Sequence, residues 1–270
     1  KSMDRLLSLG SFAPNDLRTH IMKHAKKKLQ DSYIHPRLTK VVQSFLRDIL
    51  FLLAVGFLNP ALAQQHDEGH KEGNNPPGPV IVESLIGNTG VNLETVFSKK
   101  FTQGSRFGVF GIVDLYGVYN ANKQSLKNEN MSQTQLTYRI VKGLDVSAGA
   151  FFEKHSGFRP TAGLQYNLFA GDFHLLVAPR IDLSQTYNGE LLGFVEYTPK
   201  IGNDWRLYSR AQGMYNRDLK NGLHSISYVW GRLGVTYKTY RFGVGANFNS
   251  YGPMKMKENN YGLFAGVLLF

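Results

Sequence analysis

From residue 80 to the end of the chain, apolar and polar residues alternate in segments of 9–13 residues, each closed by turn-formers. A period of two sends successive side chains to opposite faces of a strand, so the pattern confines this region to all-β architectures with one apolar and one polar face. Segment 240–250 shows it most cleanly. Tyr240, Phe242, Val244, Ala246 and Phe248 share one face, and Arg241, Gly243, Gly245, Asn247 and Asn249 the other. Segment 204–216 sets Trp205, Leu207, Ala211 and Tyr215 against Asp204, Arg206, Tyr208, Arg210 and Gln212. In 172–183, Phe173, Leu175, Val177, Ile181 and Leu183 oppose Asp172, His174, Arg180 and Asp182.

The same reading along the chain predicts strands at 80–87, 90–101, 105–118, 133–141, 144–154, 159–169, 172–183, 189–198, 204–216, 225–237, 240–250 and 260–270. Short connections (102–104, 142–143, 171, 200–203, 238–239) alternate with longer or more polar ones (119–132, 155–158, 184–188, 217–224, 251–259). Short turns on one side and longer loops on the other are the habit of an up-and-down antiparallel barrel that crosses a membrane. A strand of about 11 residues, rising about 3.3 Å per residue and tilted about 40°, crosses roughly 28 Å, the height of an apolar band. Parity favours twelve strands, because both ends of the barrel then lie on one side. The count falls to ten if 80–87 only crosses the barrel mouth and neighbouring segments are reassigned. A soluble β-sandwich or a lipocalin-like barrel would alternate too, with the apolar face turned inward.

The region before residue 80 follows other rules. The run 49–58 (ILFLLAVGFL), then Asn59-Pro60 and Ala61-Leu62-Ala63, is too short for a spanning helix and has the layout of a secretory signal peptide. The expected division is a signal peptide at 41–63 cleaved after Ala63, a flexible tail at 64–79 (QQHDEGHKEGNNPPGP), and the barrel at 80–270. Residues 1–40 lie too far upstream to belong to such a signal and read as an upstream or non-native extension. His66 and His70 stand among acids in the tail, where a solvated tract is the expected reading; no metal site and no cofactor is predicted.

The net charge of +11 first suggests a nucleic-acid partner. Its distribution argues otherwise: residues 1–48 hold ten Lys/Arg against four Asp/Glu, whereas 64–270 hold 21 against 16. No nucleic-acid partner is expected. Aromatics are concentrated late, with only five of 34 before Gln64, as an interfacial girdle requires. Cysteine is absent, so neither a disulfide framework nor a thiolate metal site is available.

The chain ends YGLFAGVLLF. This resembles the C-terminal strand signature of bacterial outer-membrane β-barrel proteins, with Phe270 terminal and Leu268 and Phe264 in alternating positions before it. Gly262 and Gly266 depart from the large apolar residues usual there. The resemblance implies export to the outer membrane, contact with its lipid, and recognition of Phe270 by the barrel-insertion machinery.

With the apolar face in lipid, the polar face lines the lumen. The residues expected to set its character are Arg180, Arg206, Arg210, Arg232 and Arg241, with Asp182, Glu190 and Glu196. Glu94, Lys100, Arg106, Asp114, Arg139, Asp145, Glu153 and Asp204 complete an inward set of eight cations and eight anions. A turn centred near 201 would place Arg206 opposite Glu196, and pairing through the loops would bring Arg180, Arg210 and Arg232 to similar heights. Such a basic ladder facing carboxylates fits a passive pore or facilitator for small polar solutes. It equally fits a salt-bridged filling in a closed barrel that serves structure or binds partners through 119–132 and 251–259. A third reading is a hydrolase acting on lipid or peptide. It would draw on His174 with Ser147, Ser209 or Asp182, or on His155 and His224 near the outer loops. No G-x-S-x-G, H-E-x-x-H or paired-carboxylate motif supports it, so no catalytic residue is assigned.

Overall fold

The computed structural model describes residues 80–119, 129–153, 156–184 and 187–270. The expected extension, signal peptide and tail (1–40, 41–63 and 64–79) lie outside them, as does His155. Among the described residues the chain forms β1 (Val80–Gly87), β2 (Gly90–Lys100), β3 (Phe107–Val118), β4 (Glu129–Val141), β5 (Leu144–Glu153) and β6 (Gly157–Ala170). It continues through β7 (Phe173–Asp182), β8 (Asn188–Tyr197), β9 (Trp205–Asp218), β10 (His224–Tyr237), β11 (Tyr240–Tyr251) and β12 (Met256–Leu269). Each strand pairs antiparallel with its neighbours in sequence, and β1 closes the ring against β12 from Val80↔Leu269 to Gly87↔Gly262. The segment 80–87 is therefore a full stave, and the barrel has twelve strands. Their even number puts Val80 and Phe270 on one rim, here the terminal rim; the other is the loop rim.

The faces sort as the period of two demands. Outward positions are largely apolar and exposed, as with Leu136 on β4, Val229 and Leu233 on β10, and Leu263 on β12. Inward positions are buried and largely polar. An apolar exterior around a polar interior is the arrangement of an outer-membrane-type β-barrel, and excludes the soluble barrel and the sandwich. Outward aromatics gather near the terminal rim. Phe107 packs on Tyr138 with ring centroids 4.9 Å apart, Phe173 on Tyr197 at 4.4 Å, and Trp205 on Tyr237 at 4.7 Å. Amphipathic rings at one level form an interfacial girdle. On the same outer surface Phe97 lies over Gly111, where a Cβ would stand 2.1 Å from the Phe97 Cζ, so the ring covers backbone that glycine leaves open.

Three strands start two or more residues earlier than the alternation indicated: β4 at Glu129, β6 at Gly157 and β12 at Met256. Their added residues are mostly polar. Such hairpin extensions are held by backbone pairing, as in Tyr251↔Met256, and need no apolar face. The alternation of connection lengths is also weaker than expected. On the loop rim β1 and β2 are joined by 88–89 alone, whereas 101–106 and 198–204 are longer turns on the terminal rim.

The structure also fixes the parity of β12. Tyr261, Leu263, Ala265, Val267 and Leu269 face outward, with Leu263 68% exposed, while Phe264 is 3% exposed inside the barrel. The alternating set ending on Phe270 thus belongs to the lumen side, and Gly262 and Gly266 are inward glycines. Leu263→Arg should therefore destabilise the barrel by about 2–4 kcal/mol if it lies near the bilayer midplane, read by chemical unfolding in phospholipid vesicles. A neutral effect would put the outward set on the even positions instead.

Candidate functional site

Among the described residues, charge is concentrated away from solvent in the lumen, and its pairs form two layers. Toward the loop rim, Arg180 on β7 forks onto its cross-strand neighbour Glu190 on β8, Nε to Oε1 at 2.8 Å and Nη2 to Oε2 at 2.6 Å. It also pairs with Asp182. Asp182 takes a second guanidinium, Arg159 of β6, at 2.8 Å, and Arg159 reaches Glu153 of β5 at 3.2 Å. Asn216 donates to Glu190 Oε2 at 2.9 Å. This layer links adjacent staves along one wall, each carboxylate held by planar, charge-assisted donors.

The second layer crosses the lumen. Arg210 on β9 meets Glu94 on β2 at 3.1 Å, and Gln212 donates to the same carboxylate at 2.8 Å. Passing from β9 to β2 through β10, β11, β12 and β1 takes nearly half the ring, so these side chains bridge opposite walls. Arg232 on β10 reaches Glu83 on β1 at 2.6 Å, joined there by the Tyr208 hydroxyl at 3.2 Å. Arg241 on β11 meets Glu196 on β8 at 3.2 Å. Arg210 and Arg232 stand directly opposite each other in the β9–β10 ladder. Like charges so placed repel, and each guanidinium turns away to a carboxylate across the barrel. Rings back them: Arg210 lies 4.6 Å over Phe194 and Arg241 4.2 Å over Tyr208. Gly245, inward on β11, makes room for this layer, since a Cβ there would meet Arg232 Cδ at 2.9 Å and Leu85 Cδ1 at 3.0 Å.

Apolar groups complete the filling. Phe110, Ile112, Leu176, Phe194, Met214, Tyr228 and Trp230 form an inward cluster, with Tyr228 stacked on Trp230 at 4.2 Å. In this conformation the lumen is occupied by its own side chains.

Five of the eight expected lumen residues fall in the first two layers' strongest contacts with one another or with nearby acids: Arg180, Asp182, Glu190, Glu196 and Arg241. Arg210 and Arg232 are also in the lumen, but their partners are Glu94 and Glu83. Arg206 is the correction. It lies opposite Lys200, bonds Asp172 at 2.6 Å and the Thr198 carbonyl at 2.7 Å, and sits half-exposed at the terminal rim. Glu196 stands opposite Arg210 in the β8–β9 ladder instead, because the turn is centred near 203 and includes its own isolated bridge; its ion pair is with Arg241. Arg180 is likewise not level with Arg210: its row runs through Glu190 to Asn216, well along β9 toward the loop rim. A continuous basic ladder does not form.

Glu83 and Arg159 were missed by the charge pattern. The available signal for Glu83 was a lone acid flanked two residues away by Ile81 and Leu85 in an otherwise apolar stave, a position that requires a cation within reach. The proposed hydrolase companions do not meet. Ser209 lies on the outward side of β9 and bonds the Tyr197 carbonyl, Ser147 bonds Gln135, and His174 contacts Asn167 and stacks on Phe169.

No family model matches the chain, and neither does any curated protein. Among solved structures it is similar to the NanC porin, at 13% identity and a TM-score of 0.44, over 71% of this chain and 99% of that one. It is similar to the KdgM porin in complex with disordered oligogalacturonate at 13% identity and 0.41, over 70% and 98%. Pseudomonas aeruginosa OccK11 (OpdR) matches at 12% identity and 0.36, over 70% and 73%.

Removing one member of a buried pair strands the other. Glu83→Ala should cost on the order of 3 kcal/mol, whereas Glu83→Met combined with Arg232→Met should recover most of it. A double-mutant cycle by chemical unfolding checks this; additive losses would mean that the two groups are not coupled.

Proposed function

We propose that the chain is a bacterial outer-membrane barrel that passes small polar solutes through its lumen, with the cross-lumen ion pairs holding that path closed in this conformation. The observation that carries the reading is the bridging of nearly opposite walls by Arg210–Glu94, with Arg232–Glu83 spanning a quarter of the ring at the same level. A barrel that only needs filling gains little from buried charge, because apolar packing of the same volume is often as stable or more so. Ionic pairs can exchange partners, and opposed charges across a narrow lumen order water and admit small dipoles. Export through the 41–63 signal, recognition of Phe270 by the insertion machinery and contact of the apolar face with outer-membrane lipid belong to the same reading.

A second reading is a permanently closed barrel serving structure or partner binding. The inward cluster of Phe110, Phe194, Tyr228 and Trp230 favours it, since aromatic packing at that level resists hydration. Planar-bilayer recording of the full chain separates the two, with heat-modifiable gel migration to verify folding. Under the pore reading the chain gives discrete steps. Removing both bridging pairs (R210A, E94A, R232A and E83A together) raises their frequency and size, and Arg210→Glu with Arg232→Glu shifts the reversal potential toward cations. Folded protein that stays silent in both wild type and bridge-free variant would overturn the pore and leave the closed barrel.

A further inference from the structure

The outer wall carries a serine–histidine pair that the lumen does not use. His224 Nδ1 lies 2.7 Å from the Gly252 carbonyl oxygen, and its Nε2 lies 2.9 Å from Ser227 Oγ. A carbonyl can only accept, so Nδ1 of the neutral ring carries the proton. Nε2 then offers a lone pair, and the Ser227 hydroxyl must be its donor. A hydroxyl donating to a base whose far nitrogen is fixed by a third group is the arrangement of an activated nucleophile.

The backbone is built to bring the two together. Residues three apart in a regular strand point to opposite faces. Here the β9–β10 register shifts between His224 and Ile226: His224 pairs with Arg217, and Ile226 with Asn216. Ser225 and Ile226 both turn inward, Ser225 taking a hydrogen bond from Asn188 and Ile226 packing on the lumen cluster. His224 thereby returns to the outward face shared by Ser227. Bulges that re-aim a side chain in this way are frequent beside reactive sites.

We propose that Ser227 and His224 form an acyl-transfer site for an ester carried by an amphiphile at the membrane interface. The pair lies at the loop-rim end of β10, against the exposed Tyr215 ring, where an interfacial lipid would present its ester. Ser227 Oγ attacks the acyl carbon and passes its proton to His224 Nε2; the ester C–O bond breaks and the leaving alkoxide takes that proton. Water, deprotonated by the same imidazole, then attacks the acyl carbon; the acyl–Oγ bond breaks, the carboxylic acid leaves, and His224 returns the proton to Ser227 Oγ. Arg217, directly opposite His224 in the ladder, donates its Nε to the Gly222 carbonyl at 3.1 Å, which holds a guanidinium at the loop-rim end of this hairpin. The site is independent of whether the lumen conducts.

The test is labelling of the full chain in detergent micelles by a fluorophosphonate, with the modified residue located by mass spectrometry. The label should map to Ser227 and vanish in S227A. It should persist in S250A, which removes the cross-strand serine opposite Ser227. H224F should slow labelling by roughly 100-fold or more. H224Q serves if the phenylalanine variant loses heat-modifiable migration, and S227A decides alone if both do. Folded wild type that takes no label, or an S227A variant labelled as fast as wild type, would overturn the proposal.

Discussion

In a bilayer core no water is available to satisfy a bare peptide group, so a strand can cross only if both of its edges are paired. Everything else in this barrel follows from the closure of β1 on β12. The ring admits no edge, and each stave must offer lipid one apolar face. The alternation that results turns every second residue inward, and those residues must then be satisfied among themselves. The short β1, whose only acid is Glu83, is not a weak appendage under this constraint. It is the stave on which closure depends, and its inward carboxylate is fixed by a guanidinium from β10.

The interior solves its problem over long sequence distances. Glu83 with Arg232, and Glu94 with Arg210, join the first hairpin to staves far along the chain, so the crossing layer exists only once the ring is complete. Buried charges of this kind cost much to desolvate and return that cost only when geometry is good and remaining donors are satisfied. Tyr208 and Gln212 act as the extra donors, and the aromatic faces of Phe194 and Tyr208 lie under two of the guanidiniums. The inward Gly245 matters for the same reason: a Cβ there would crowd the Arg232 side chain, at 2.9 Å from its Cδ.

What could be read in advance divides along physical lines. The period of two survives through the middle of every stave because the lipid face enforces it, so strand number and the inward side of Arg180, Arg210, Arg232 and Arg241 were legible. Register was not. It depends on where a turn is centred, and a shift of two residues in 198–204 moved Arg206 from the lumen to the rim and set Glu196 opposite Arg210 in the ladder. Strand ends beyond the apolar band were also hidden, since backbone pairing there leaves no apolar signature. Parity in β12 was not legible, because the set bearing Phe264 looks as apolar as the set bearing Leu263. Only the neighbours, β1 and β11, decide between them. Cross-lumen partners were the least legible, since no sequence spacing encodes which opposite walls meet.

The two surfaces of the wall can therefore carry separate work. Lumen chemistry is set by inward residues, and the regular period of two keeps it apart from the outward face. One inserted residue breaks that separation locally. At Ser225 the bulge gives the lumen two consecutive residues and returns His224 to the outside, next to Ser227 and below a carbonyl supplied by the β11–β12 turn at Gly252, whose backbone has φ of +67°. That conformation is open to glycine and strained for most other residues. The position of one proton in the imidazole thus depends on a bulge in one hairpin and a left-handed glycine in the next. Neither feature is needed to close the ring, and together they place an oriented base beside a hydroxyl on the lipid-facing wall.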